Sequence, residues 1–255
     1  MRIERSGLRA WPAIETGAIE GWILRAARGY TQRANSAQPL GPVGDTDAAI
    51  AAVESWYRLR GLPPRFRLHP LCSPPDMDDR LEARGYRKEA EAHVQTAALG
   101  ARNTLRSGNR PDPKSTMPAL ATEELLVEDP DEPWMQVYEE GSGRRDRPSF
   151  LTLLEHFPTP RAFASLRHEG ETVACGLGII DDGIVWLFDI ATDPTRRRLG
   201  FGESLVRSLM AWGREEGADM AALQVMTNND SALRLYQRLG FETVMTYHYR
   251  IGAEG

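Results

Sequence analysis

The sequence predicts a mixed α/β fold, a central sheet flanked by helices, with the arrangement duplicated along the chain. Three observations predict it. The apolar run 184–190 (Ile-Val-Trp-Leu-Phe-Asp-Ile) enters a basic, glycine-containing turn over 193–202 that opens a helical pattern near Glu203, a strand–turn–helix unit. A second such unit follows: a strand over 222–225, a polar turn, and a short helix stopped by Gly240. A weaker echo lies 155 residues upstream (240 minus 85), where Leu81-Glu82-Ala83-Arg84-Gly85-Tyr86 parallels Tyr236-Gln237-Arg238-Leu239-Gly240-Phe241. The same offset pairs His93 with His248, each in a strand-like segment. Chance similarity over six residues is the alternative to duplication.

Each element has its own signal. Residues 21–31 read as a strand pair and 45–59 as an amphipathic helix. The stretch 101–115 is polar, poor in apolar residues, and carries a glycine and two prolines, so it reads as a linker. A strand is expected over 119–127, helices over 133–138 and 149–156, and strands over 161–168 and 172–180 that turn at Glu169-Gly170. The strand before the basic turn starts after Asp181-Asp182-Gly183. The helix after Gly202 sets Leu205, Val206, Leu209, Met210 and Trp212 mostly on one side and stops at Gly217. Strands over 221–226 and 243–251 close the chain. The expected division is a domain over 1–100, a linker over 101–115, and a second domain over 116–255.

Composition narrows the function. With 255 residues, 41% of them apolar and 26% charged, the chain has room for a sizeable core. A net charge of −5 offers no basic footprint for nucleic acid. Only Cys72 and Cys175 are present, against a disulfide framework or a zinc cluster, and no metal is expected. No long apolar run or signal peptide appears, so the expected compartment is the cytoplasm, without a membrane partner.

The turn over 193–202 predicts an anion cradle. A helix start leaves backbone N–H groups without intrahelical partners, and the helix dipole adds partial positive charge. Gly200 and Gly202 let the backbone approach a pyrophosphate with no Cβ between. The common nucleotide loops do not fit: no Lys-Ser or Lys-Thr follows the glycines, and the position three after Gly202 is Leu205. The fitting pattern is Arg-x-x-Gly-x-Gly, from Arg197 to Gly202. Alone, it also fits an ordinary left-handed turn with solvated arginines.

A second motif weighs against the ordinary turn. Pro194, Arg197, Gly200 and Gly202, followed by Asn229, Ala232, Leu235, Tyr236, Gly240 and Phe241, resemble the acyl-CoA signature of the GNAT superfamily of N-acyltransferases. Arg198 stands where many members carry glycine, and Thr192 where valine is usual. Neither removes a backbone N–H. The resemblance covers about 116–255 and implies a β-α-α-β-β-β-α-β-α-β order there. Under the same resemblance residues 1–100 form a degenerate GNAT-like domain. That half has Gly41 and Gly44 but no Arg-x-x-Gly-x-Gly, and Leu81 stands where Tyr236 stands. It is expected to be a scaffold or a wall of the acceptor site.

The resemblance also implies roles. The backbone of Ile190, Ala191 and Thr192 would meet the pantetheine arm. The amides of Arg198, Leu199, Gly200, Phe201, Gly202 and Glu203 would hold the pyrophosphate, with Arg197 or a neighbouring arginine on phosphate. Asn229 would contact the cofactor, or cap the helix that carries Tyr236, or both. Tyr236 is the candidate general acid, since a phenol of pKa about 10 is neutral at pH 7 and can donate to a thiolate; an ordinary half-buried aromatic is the bland alternative. Asp189, the one acidic residue in its run, is the candidate base. Strand alternation puts it opposite Phe188 and Ile190, and a buried carboxylate needs water, a partner or a ligand. A structural Asp fits equally, and many family members deprotonate the amine through water. His156, His168 and His248 are further, more structural-looking candidates, and Cys175 looks structural. Trp134, Tyr138, Phe150, His156 and Phe157 fall in the family's variable helices, while Arg33, Asn35 and Ser36 are candidates to face a ligand or a domain junction. The expected activity is acetyl transfer from acetyl-CoA to the primary amine of a small molecule or peptide, by a monomer or homodimer, with a non-catalytic acyl-CoA sensor as the alternative.

Overall fold

A computed structural model of the chain describes residues 2–100 and 122–253. In chain order the elements are α1 (Arg2–Ala10), β1 (Glu15–Ile19), β2 (Trp22–Ala26), β3 (Gln38–Pro39), α2 (Thr46–Arg58), β4 (Arg65–Leu68), α3 (Met77–Ala83), β5 (Arg87–Ala98) and β6 (Thr122–Val127). There follow α4 (Glu132–Ser142), α5 (Arg147–Leu154), β7 (Arg161–His168), β8 (Glu171–Asp181), β9 (Ile184–Thr192), α6 (Phe201–Glu215), β10 (Met220–Met226), α7 (Asp230–Arg238) and β11 (Glu242–Ile251). The expected linker over 101–115, and the first residues of the strand expected over 119–127, lie outside the described residues. The class is mixed α/β, with strands in sheets and helices on them. The chain groups into two compact units. One is Met1–Thr96 with Asp146–Pro158 and Leu223–Gly255; the other is Ala97–Arg145 with Thr159–Ala222.

In the first unit β1, β2 and β3 form an antiparallel sheet, and β11 lies between β4 and β5, antiparallel to both. Asp45 starts α2 by accepting the amides of Asp47 and Ala48, a standard N-cap. The helix then buries Ala49, Ile50, Val53 and Tyr57 against Trp22, Leu24, Phe66, Met77, Leu81 and Tyr86. Each large apolar side chain so buried contributes about 1.5–3 kcal/mol before entropy is counted.

The echo in the sequence is an echo in structure. At the end of α3 the amides of Arg84 and Tyr86 donate to the Leu81 carbonyl and that of Gly85 to Glu82. At the end of α7 the amides of Leu239 and Phe241 donate to Tyr236 and that of Gly240 to Gln237. The five positions match at the offset of 155, and Gly85 and Gly240 share a left-handed φ of 81° and 82°. Both stops are glycine C-caps, where a Cβ would be strained. The strands that follow, β5 and β11, pair with each other, His93 opposite Thr246.

Helix α1 was not legible as a helix. Its buried residues are Glu4, Ser6, Gly7 and Ala10, so no apolar periodicity marks it. Its anchor is ionic. Glu4 receives both terminal nitrogens of the buried Arg67, whose guanidinium also stacks 3.9 Å over the Tyr247 ring. Burial works against the Glu4 charge, yet Arg67 holds its carboxyl below the ordinary range. Burial pushes the neighbouring His69 down to about 4, despite Glu4. The imidazole is therefore neutral at pH 7.

In the second unit β6, β7, β8 and β9 form an antiparallel meander. Its turns at Glu169-Gly170 and Asp182-Gly183 have positive φ at both residues, the type I′ signature that matches strand twist. Helix α6 buries Leu205, Val206 and Leu209 as expected, and Gly213 with them. It sits close because glycines face it: a Cβ on Gly178 would lie 2.9 Å from the Trp212 ring, and one on Gly213 would lie 2.5 Å from Val185.

Glu4→Ala should lower the unfolding free energy in urea by about 3–5 kcal/mol, because it leaves the Arg67 charge buried without its carboxylate. A second prediction concerns acid. Asp78 bonds Arg250 and His248, each at 2.7 Å, and the Arg250 hydrogen bond, ahead of the opposing effect of burial, pulls it from 3.8 to about 2. A depressed carboxylate stabilises above its unfolded pKa and loses that contribution as pH falls through the folded value. The stability gap between the native chain and Asp78→Asn should thus be constant above about pH 5 and close between about pH 4 and 2.

Candidate functional site

Asp189 sits where β9 breaks its alternation. Cys175 pairs with Ala191 and Leu177 with Phe188, so two steps of β8 span three of β9, which is a bulge. Strict alternation, expected from the sequence, fails here because Asp189 adopts a φ of 51°, a left-handed conformation costly for a non-glycine residue. The surroundings hold it there. The Asp189 side chain is only 2% exposed, and its Oδ1 accepts from Arg144 Nη1 at 3.0 Å. The same nitrogen donates to the Tyr138 hydroxyl at 3.4 Å. Across the bulge the Gly176 carbonyl accepts the Trp134 indole N–H at 3.2 Å. A Cβ on Gly141 would come 2.8 Å from Ala191 Cβ, so α4 and the end of β9 are in direct backbone contact.

Beyond β9 the chain forms a shallow nest. Asp193 ties the turn by accepting the amide and hydroxyl of Thr195. Arg197 is extended, Arg198 has a φ of 67°, and Gly200 a φ of 88° as the residue that precedes α6. The Gly200 carbonyl takes the amides of Glu203 and Ser204 at 3.0 and 3.1 Å. Among the described residues, no backbone carbonyl accepts from the amides of Arg198, Leu199, Gly200, Phe201 or Gly202. Arg197 and Arg198 are exposed beside them, and Arg197 reaches the Gly141 carbonyl at 3.5 Å. Consecutive amides at a helix start, with glycine at the crossing point and arginines alongside, suit a diphosphate.

The remaining candidates lie in the first unit. Asn229 caps α7, its Oδ1 accepting the Ala232 amide at 3.2 Å and the Ser231 hydroxyl at 3.1 Å. Its amide nitrogen is chemically suited to a further contact. Tyr236 is buried in α7, edge-on to Phe241 at 5.7 Å. Burial pushes its phenol up to about 12, so it stays protonated and a donor through the physiological range.

The other candidates have their own contacts. Asn35 is buried and wires its own loop, accepting the amides of Ala27 and Gly29 and donating to the Thr31 carbonyl. Arg33 stacks over Trp11, and Ser36 is buried against Gln38. Trp134, Tyr138, Phe150 and Phe157 are core residues. His156 is exposed, His168 packs on Phe201, and His248 bonds Asp78. Burial raises the Cys175 thiol well above its ordinary value, with the Asp189 charge adding to it, so it is a poor nucleophile at neutral pH. Among the described residues, no group of three His, Cys, Asp or Glu is placed to hold a metal, and no helix is long and apolar enough to cross a membrane.

Comparison with known proteins decides the family. The model of the family described as "Probable histone acetyltransferase Rv0428c C-terminal" matches residues 1–250. The chain belongs to this GNAT-type acetyltransferase family. The acetyltransferase is 29% identical over 252 residues to "Uncharacterized N-acetyltransferase YobR" of Bacillus subtilis, covering 98% of this chain and 97% of that one. Its fold resembles a GCN5-related N-acetyltransferase from Kribbella flavida, with a TM-score of 0.72, 17% identity, and 100% and 95% of the two chains covered. It also resembles a tandem GNAT protein from the clavulanic acid biosynthesis pathway, with a TM-score of 0.58, 14% identity, and 82% and 70% covered. The family implies use of an acyl-CoA, and the open amides between Arg198 and Gly202 fit that group.

The sequence missed Arg144. It lies 45 residues from Asp189, in a loop whose basic residues look like solvated surface. Arg144→Ala should destabilise the acetyltransferase by about 1–3 kcal/mol in urea, since it takes a charge-assisted partner from a buried carboxylate. A Lys at the same position should recover only part of that loss.

Proposed function

We propose that the acetyltransferase moves an acetyl group from acetyl-CoA to a primary amine, on a small molecule or peptide, by direct attack within a ternary complex. The observation that carries this reading is the run of amides from Arg198 to Gly202 without backbone acceptors. Acetyl-CoA, when bound, supplies the activated acyl thioester. The Arg198–Gly202 amides hold the pyrophosphate, with Arg197 or Arg198 adding a charge-assisted bond. The backbone of Ile190 to Thr192 guides the acyl arm, and Asn229 contributes its free amide face. Tyr236 gives its phenolic proton to the departing sulfur. Asp189 is the candidate base. Its bond to Arg144 favours a positioning role at the bulge, with the amine deprotonated through water.

The matched helix stops at Gly85 and Gly240 favour a tandem arrangement, a degenerate GNAT-like domain over 1–100 and a catalytic one over 116–255. The first half carries Leu81 in place of Tyr236 and no Arg-x-x-Gly-x-Gly, so one active site per chain is the reading.

The test is thiol release from acetyl-CoA over amino acids, polyamines, aminoglycosides and peptides, with melting curves alongside. Tyr236→Phe should cut kcat by about 10²–10⁴-fold while acetyl-CoA stabilises both proteins alike. Binding of acetyl-CoA with no thiol release for any amine would make the chain a sensor. Stabilisation by ATP and not by acetyl-CoA would overturn the cofactor assignment.

A further inference from the structure

Two helix–strand junctions of the first unit correspond, and only one of them is filled. At α3, Arg250 of β11 donates from Nε to Asp78 at 2.7 Å, and from Nη1 to Glu82 at 3.4 Å and to the Tyr86 carbonyl at 3.1 Å. The offset of 155 that relates the stops of α3 and α7 places Gln95 where Arg250 stands, Gln237 where Glu82 stands and Phe241 where Tyr86 stands. It also relates the strand pair Arg250–Lys88 to the strand pair Gln95–Thr243, so the match runs on into the register of β5 and β11. Gln95 is shorter than an arginine. Its Nε2 stops at the Thr243 hydroxyl, 3.1 Å away, and a groove of about 530 Å³ remains along α7, with Gln95, Leu233, Gln237 and Phe241 in its lining. A Cβ on Gly240 would meet nothing within 4 Å, so the helix stop leaves this space clear. Among the described residues, no backbone amide donates to the Phe241 carbonyl, and the buried Gln95 Oε1 has no hydrogen-bond partner. Asp230, Arg234 and Glu242 also line the groove and are exposed. Their side chains, and that of Gln237, make no hydrogen bond or ion pair among the described residues.

We propose that this groove binds a free guanidino amino acid, with the chemistry of arginine itself. The ligand's guanidinium takes the Phe241 carbonyl as Arg250 takes that of Tyr86, with the Gln237 amide oxygen in place of the Glu82 carboxylate. Leu233 stands where Asp78 stands, and its apolar side chain packs against the ligand's methylene stem. The zwitterionic end lies at the exposed side chains, its carboxylate on Arg234 and its ammonium on Asp230 or Glu242. Two carboxylates against one guanidinium there favour a ligand of net positive charge. The volume lies within the roughly 300–1,000 Å³ of small-molecule sites. The site is independent of the acetyl-transfer reading, since it uses neither Tyr236 nor the amides from Arg198 to Gly202.

Calorimetric titration of the full chain with L-arginine, without acetyl-CoA, tests it, and L-citrulline is the comparison ligand. Arginine should bind saturably at one site, and citrulline, of the same shape without the head charge, at least about tenfold more weakly. Gln95→Arg supplies from the chain the group that fills the α3 junction, and should abolish arginine binding. Gln237→Glu gives the groove the carboxylate that α3 has at Glu82 and should tighten arginine by about tenfold, while Arg234→Ala should weaken it by about tenfold. Both of these positions are exposed, so they carry the test if Gln95→Arg melts lower than the native chain. Absence of saturable arginine binding, equal affinity for citrulline, or unchanged affinity in Gln237→Glu or Arg234→Ala would overturn the proposal. Thiol release from acetyl-CoA should be the same in the Gln237 variant as in the native chain, which separates this site from the transfer reading.

Discussion

The candidate site depends on one local constraint: β9 is held out of register at Asp189. A left-handed aspartate in the middle of a buried strand is unfavourable by itself. It persists because Arg144 neutralises its carboxylate, Trp134 takes the carbonyl of Gly176 opposite the bulge, and Gly141 lets α4 press on the strand just beyond. These contacts set the direction in which β9 leaves the sheet and enters the turn at Asp193. The amide nest from Arg198 to Gly202 therefore inherits its orientation from an ion pair, an indole–carbonyl hydrogen bond and one close backbone approach.

The first unit holds two helix stops that share their mechanics and differ in chemistry. The stops of α3 and α7 use the same carbonyls, the same left-handed glycine, and an aromatic two positions after the helix cap. What differs is the residue at the turn of the helix. Leu81 joins the apolar core around Trp22 and Phe66, whereas Tyr236 offers a hydroxyl that burial keeps protonated. The same unit holds the buried Glu4–Arg67 pair, which fastens α1 in place of an apolar stripe.

Much of the fold was legible because its signals are local. Paired positive-φ turns at Glu169-Gly170 and Asp182-Gly183, the Asp45 cap and the glycine stops all act within a few residues, and the strands around them fall close to where alternation puts them. Local signals also marked the candidate cradle, since Arg197, Gly200 and Gly202 fall within six residues. Boundaries shifted at the helix starts: α6 begins at Phe201, directly after Gly200 and two residues before the start expected near Glu203. Helix α1 escaped notice because its inward face is polar.

The sequence by itself determined the class, the acyl-CoA signature and the residues that make it up, because motif spacing and turn chemistry are short-range properties. Only the tertiary structure decided that Asp189 lies on a bulge and is tied to Arg144, that Asn35 is buried in bonds to its own loop, and that Glu4 anchors a helix. The physical reason is the same in each case. A buried charge or polar group must find a partner wherever the fold supplies one, and that partner, 45 residues away for Asp189 and 63 for Glu4, leaves no trace in the local pattern.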